Sequence, residues 1–199
     1  MKKILLFLQL ALLLGGCTAR YLPLPQDDVI ISEYFGIVNQ AEYQFAAESR
    51  YWSREPSELA SYFSTFYVVI RNRAEADLSV ELADFALIDA NGNQYDPISN
   101  EYLERLIEPT QLDYFLESDD GGSHFFDLED ELMEQKSTLE KWQQARENLI
   151  KYSFRFGQLR GGARKAGFIF FPKLEESNQN CSLIFGDSKI EFSKIRPQE

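Results

Sequence analysis

FYVVIRNRAEADLSVELADFALIDANGNQY, running from Phe66 to Tyr95, decides the fold. Phe66, Val68 and Ile70 alternate with Tyr67, Val69 and Arg71, a period-two pattern that is apolar on both faces at its centre. It reads as a strand covered on both sides, or as one covered by aromatic side chains. Asn72 to Asp77 is a polar connection, after which Leu78, Val80 and Leu82 alternate with Ser79, Glu81 and Ala83. The apolar parity then changes, because Phe85 and Leu87 carry the pattern onward. In an unbroken strand that change would turn the core face toward solvent. A bulge or corner near Ala83-Asp84, re-aiming the chain or passing it to a second sheet, resolves the conflict. Asn91-Gly92 between apolar runs predicts a hairpin turn, with Gln94 to Ile98 as the returning strand.

Working outward, the apolar-aromatic runs Val29–Val38 and Tyr43–Ala47 predict strands on the N-terminal side. Ser53 to Ala60 reads as a helical turn with Pro56 early in it. On the C-terminal side, Asn100 to Glu117 is helical or irregular, with Tyr102, Leu103 and Leu106 at helical spacing. Asp127 to Lys151 is the one long helix. Leu128, Leu132, Leu139, Trp142, Leu149 and Ile150 lie near one stripe, acids crowd the start, and Arg146 and Lys151 lie near the end, as the helix dipole favours. The stripe suits packing on the chain's own domain better than coiled-coil pairing, since few heptads are present. Ser153–Phe156 is a short strand, Gly161-Gly162 a turn, and Ala166–Phe171 a core strand closed by Pro172. Cys181–Phe185 and Lys189–Phe192 form a terminal pair across Gly186-Asp187.

The N-terminus has a different character. Lys2-Lys3 precede Ile4 to Leu14, apolar except for Gln9, and Gly15-Gly16-Cys17 follow. The run is shorter than the ~20 residues a bilayer span needs. A short apolar stretch with basic residues before it and small residues after it reads as an export signal. Leu14-Gly15-Gly16-Cys17 resembles the bacterial lipobox. That resemblance implies lipid transfer to the Cys17 thiol and cleavage after Gly16; Thr18, in place of Asp, implies outer-membrane sorting in a Gram-negative host. An ordinary secretory signal with a chance cysteine is the alternative. Several acyl chains give a stable anchor where one gives marginal residence, at ~0.8 kcal/mol per buried methylene. The expected organisation is a signal peptide over 1–16, a lipid-anchored tether over 17–28 (Thr18 to Asp28 carries two prolines and no periodic face), and a single β-sandwich domain over 29–199 with a helical insertion at about 100–150.

The 199 residues carry 20 basic and 32 acidic side chains, a formal charge of −12. Without Lys2 and Lys3 the balance is 18 against 32, or −14. So acidic a chain is a poor nucleic-acid binder, and none is expected as a partner. The 16 Phe and 10 Tyr argue for a packed β-rich core. Once Cys17 is lipidated only Cys181 remains, so no intramolecular disulfide forms. Cys181 opens an apolar strand and reads as a buried core thiol.

The same Phe66–Tyr95 block resembles bacterial extracytoplasmic domains of unknown function with an immunoglobulin-like fold. Asn72, Asp84-Phe85-Ala86-Leu87, Asp89, Gly92 and Tyr95 stand at the positions that carry the likeness. Leu159 to Phe170 is similar to a second block of that family, with Gly161 where proline is usual there. The resemblance implies a mainly β, immunoglobulin-like antiparallel β-sandwich, a cell-envelope location and a binding role, and it implies no catalytic residues. Glu101–Leu149 has no counterpart in it and reads as the helical insertion.

Chemistry-bearing residues are few. His124, the lone histidine, would have to serve any His-based triad or zinc site. Asp89, Asn91 and Asn93 open like a calcium loop, but Gly92 falls at the fourth place and Asn100 stands where the bidentate Glu belongs, so a hairpin turn explains them. Ile107 to Gln135 holds ten acids and no Lys or Arg. Its segment Glu117–Glu134 would suit a hard cation, or simply a solvated loop and an acidic helix start. Lys151, Arg155, Arg160, Arg164, Lys165 and Lys173 lie in a stretch without acids from Asn148 to Leu174. They could pair with that acidic segment or touch an anionic glycan or headgroup. Tyr43, Tyr51 and Trp52 form an aromatic-rich segment. The expectation is therefore a non-catalytic envelope protein without cofactor or bound metal. It is held to the membrane by its N-terminal lipid and binds an envelope protein, with Tyr43, Tyr51, Trp52, Arg155, Arg160, Arg164 and Lys165 as candidate surface. Binding of a small ligand or wall glycan is the alternative, and a carboxylate-dependent hydrolase comes after it.

Overall fold

The computed structural model describes residues 20–108 and 127–195, with the side chains of the long helix described from Leu139 onward. Cys17 and the signal, His124, and most of Glu117–Glu134 lie outside the described residues.

The chain forms a β-sandwich. One five-stranded antiparallel sheet has the order β1 (Arg20–Pro23), β12 (Ser188–Ile195), β11 (Asn180–Phe185), β7 (Phe85–Asp89), β8 (Gln94–Tyr95). The second has the order β10 (Arg164–Pro172), β5 (Phe63–Asn72), β4 (Tyr43–Ser49), β3 (Phe35–Asn39), β2 (Val29–Ser32). A short pair, β6 (Leu78–Val80) with β9 (Gly157–Leu159), lies apart from both. Helices α1 (Leu59–Tyr62), α2 (Asn100–Leu106) and α3 (Asp127–Tyr152) complete the described elements.

Strand β5 shows why its sequence is apolar on both faces. Phe66, Val68 and Ile70 enter the core between the sheets. There Phe66 meets Phe192 at a ring separation of 5.2 Å, and Phe45 meets Phe185 at 5.4 Å. Aromatic pairs of this kind add roughly 0.5–1.5 kcal/mol each beyond their area. The opposite face of β5 and β10 is covered by the helices. Trp52, Phe63, Phe168 and Phe170 pack there with Leu59 and Ala60 of α1, Leu103 of α2 and Leu149 of α3. Strand β10 obeys the same rule: Ile169 and Phe171 face the main core, Phe168 and Phe170 the helical layer. Alternation alone puts consecutive phenylalanines into two different cores.

The parity change after Val80 is a corner, as the pattern predicts. Leu82–Asp84 forms a 3-10 turn, with the Glu81 amide donating to Asp84 Oδ2 at 2.7 Å. The chain leaves the small β6–β9 pair there and enters the first sheet at Phe85. The hairpin follows, but β8 is only two residues long. Ile98 instead crosses to the edge of β10, its amide donating to the Phe170 carbonyl at 2.7 Å.

Several expectations are corrected. The sandwich begins ahead of residue 29: Arg20–Pro23, read as tether, is a strand paired with β12 from Arg20↔Ile195 to Pro23↔Phe192. Pro23 fits there because β1 is an edge strand, where a missing amide costs no ladder bond. Helix α1 starts after Pro56 and does not contain it; the Pro56 carbonyl accepts the Trp52 indole N–H at 3.1 Å. In α2, Leu103 is buried while Tyr102 and Leu106 face outward. In α3 the described buried stripe is Ala145 and Leu149, and Leu139 and Ile150 are exposed. The predicted strand at Ser153–Phe156 is a single bridge from Ser153 to Phe168, and the strand proper is β9.

Candidate functional site

The aromatic segment is not gathered on one exposed surface. Trp52 is 1% exposed, edge-on to Phe168 at 5.3 Å. Tyr43 packs edge-on against Phe185, and its hydroxyl lies 3.1 Å from Ser188 Oγ. Tyr51 remains exposed, with the Lys173 ammonium over its ring at 5.2 Å. Tyr43 thus belongs to the core between the sheets and Trp52 to the helical layer on the opposite face of β5 and β10.

The basic stretch is divided among local tasks. Arg155 donates to the Ile150 carbonyl at 3.1 Å and closes the last turn of α3. Lys165 reaches the Gly157 carbonyl at 3.1 Å, and Lys173 the Ala60 carbonyl at 2.6 Å, at the end of α1. Arg160 is exposed in the turn before β10, and Arg164 opens β10 on its solvent side.

Cys181 is a free, buried thiol, and burial pushes it up to about 12. Glu48 is 1% exposed, between Arg20 at 3.3 Å and Arg50. Burial raises its proton affinity above the ordinary value, against the pull of both guanidinium groups. Asp89 is the opposite case. Its carboxylate accepts the Asn93 side-chain amide, the Asn91 and Asn93 backbone amides, all at 2.8 Å, and the Tyr95 hydroxyl at 3.1 Å. These donors, Asn93 first, hold it below the ordinary carboxylate value. The calcium-like spacing is thus a turn that satisfies itself. Among the described residues no three His, Cys, Asp or Glu side chains are placed to hold a metal, and no helix is long and apolar enough to cross a membrane.

A concavity of about 650 Å³ lies where α1, α2 and α3 meet. Tyr62, Phe63, Tyr102, Leu106, Trp142 and Ala145 line it, with Glu55, Glu58 and Lys141 around the opening. Tyr62 is 66% exposed, Tyr102 54% and Leu106 50%. The helices that supply this wall are fixed from below by buried residues: Leu59 and Ala60 of α1, Leu103 of α2 and Leu149 of α3. The Trp142 indole nitrogen is buried there without a hydrogen-bond partner among the described residues. Tyr62, Tyr102 and Leu106 are not among the site residues expected from the sequence, where Tyr102 and Leu106 figure only as part of a helical stripe. Their signal is large apolar side chains on helices too short to bury two faces, visible only once Leu59 and Leu103 are known to face the sheet.

Comparison with protein-family models found no match, and comparison with curated proteins found none either. Among solved structures, a functionally unknown protein from Listeria monocytogenes EGD-e is similar at a TM-score of 0.32 and 9% identity, over 92% of this chain and 86% of that one.

Proposed function

We propose that this chain is a non-catalytic, lipid-anchored cell-envelope module of immunoglobulin-like topology that holds a protein partner in the groove between α1, α2 and α3. The supporting observation is the groove itself: Tyr62, Tyr102 and Leu106 expose half or more of their surface along one wall. Large apolar groups so presented suit an apolar segment of a partner. The topology is supported by strand order. Strands β5 and β10 are neighbours in one sheet, and β7, β11 and β12 in the other. The chain changes sheets after β5 and again after β10, as it does at B to C and E to F in the immunoglobulin arrangement. Anchoring rests on Leu14-Gly15-Gly16-Cys17.

The small-ligand reading draws on the same groove, since Phe63 and Trp142 give it an aromatic wall and its volume lies in the ligand-pocket range of ~300–1,000 Å³. A hydrolase is disfavoured because the described carboxylate with raised proton affinity, Glu48, sits between two arginines and outside the groove.

Crosslinking in intact envelopes followed by purification tests the reading. A discrete protein is expected with the wild-type chain and is lost with Tyr102→Ser and Leu106→Ser, both exposed and compatible with folding. No crosslinked protein, together with turnover of a wall polymer, overturns it. Palmitate labelling that survives Cys17→Ala removes the anchor.

A further inference from the structure

At the end of the second sheet nearest Tyr43, four polar side chains form a row across adjacent strands. Asn39 of β3 is paired with Gln44 of β4, Gln44 with Arg71 of β5, and Arg71 with Arg164 of β10. All stand on the solvent side, because Ile70 and Asn72, flanking Arg71 in the strand, point inward and are buried. Arg71 and Arg164 therefore face each other directly, with β-carbons separated by roughly 5 Å. Like charges in that position oppose pairing of the strands. No described carboxylate forms an ion pair with Arg71, Arg164 or the adjacent Arg73.

A polar cavity of about 370 Å³ opens beside the row, lined by Asn39, Gln44, Arg71, Asn72, Arg73 and Gly162, and Arg164 stands outside that lining, opposite Arg71. Its walls are held from beneath. Asn39 Oδ1 accepts from Gln44 Nε2 at 2.8 Å and from Arg73 Nη1 at 3.4 Å, which draws Arg73 toward the row. Buried Asn72 donates to the Ala76 and Leu159 carbonyls at 2.7 and 2.9 Å and accepts the Ala74 amide at 3.0 Å, fixing the loop that carries Arg73. Guanidinium forks on a rigid floor match the oxygens of a phosphoryl group, and such charge-assisted bonds are about twice as strong as neutral ones.

We infer that Arg71, Arg73 and Arg164, with Gln44, form a binding site for the phosphoryl group of a phosphoester. A bound dianion removes the repulsion that the strand register otherwise imposes. In a chain of charge −12 the overall field repels anions, so recognition rests on these short-range contacts. The source favoured is a soluble or polymer-borne ester, not a headgroup of the anchoring membrane. Arg20, the first described residue, contacts Glu48 at the other end of β4, about 13 Å along the strand from Gln44. This inference is independent of the groove.

Calorimetric titration of the full chain with glycerol phosphate and with inorganic phosphate, at constant ionic strength, tests it. Saturable binding is expected, weakened at least ten-fold by Arg71→Gln and by Arg164→Gln and unchanged by Lys151→Gln. Without anion, Arg71→Gln should melt no lower than wild type, since it removes a repulsion; this also shows that the variant folds. Absence of binding, or binding that both arginine variants retain, overturns the site. Equal effects of phosphate and chloride on melting overturn it as well. Loss of glycerol phosphate binding in the presence of phosphatidylglycerol vesicles, but not phosphatidylcholine vesicles, overturns the soluble source, and persistence supports it.

Discussion

Gly167 of β10 lies against the backbone of Phe154, so closely that a β-carbon at 167 would fall 2.5 Å from the Phe154 amide nitrogen. The contact seats the end of α3 on the sheet: the Phe154 amide donates to the Phe168 carbonyl at 2.8 Å, and Ser153 bridges Phe168. Backbone cannot yield as a side-chain tip can. Gly167→Ala is therefore expected to lower stability by about 1–3 kcal/mol, read as a lower denaturant midpoint at unchanged slope. A midpoint equal to wild type would show that α3 is not fixed at this point.

Asp89 governs the β7–β8 hairpin. Its folded proton affinity is depressed below the ordinary 3.8, chiefly by Asn93. A depressed carboxylate contributes stability that is present above its unfolded value and disappears as pH falls through the folded one. Asp89→Ala should lower the melting midpoint at pH 7. Comparing melting midpoints from pH 7 to pH 2, the gap between wild type and Asp89→Ala should narrow below about pH 4. A gap that stays constant over that range would assign the effect to packing instead of to the carboxylate.

Cys181 should be chemically silent in the folded chain. Burial pushes its thiol up to about 12, and the thiolate is the reactive form. A raised value of this kind leaves stability intact at neutral pH and withdraws it only as pH climbs toward that value. Iodoacetamide at pH 8 should leave Cys181 unmodified over hours in native buffer and modify it within minutes in guanidinium, as read by mass spectrometry. Rapid native modification would mean that β11 opens readily.

Local periodicity carried much of the architecture. The alternation from Phe66 to Ile70, the parity change at Ala83-Asp84 and the Asn91-Gly92 turn each have their physical cause within a few residues. The same holds for Ala166–Phe171 and for the terminal pair around Gly186. Where expectation and structure part, a distant partner decided. Pro23 and Pro25 mark an irregular segment on local grounds, yet Arg20–Pro23 is held by β12, near the other end of the chain. Trp52 looks available in the sequence and is enclosed by Phe168 and Phe170. Tyr62, Tyr102 and Leu106 look like core residues and line the groove.

The candidate sites followed the same division. Arg164 was legible as part of a basic stretch, whereas Arg71 and Arg73 were hidden inside a strand and its turn. Only the register of β5 with β10 brings Arg71 opposite Arg164.

By itself, then, the order of residues determined the β-rich character, the corner, the hairpin and the apolar-on-both-faces strands, because side-chain alternation and glycine turns are properties of neighbouring residues. Tertiary structure alone decided which aromatics are buried, which helical faces stay open and which charges confront each other. Those outcomes depend on strand register and helix docking, in which residues far apart in the chain compete for the same surface.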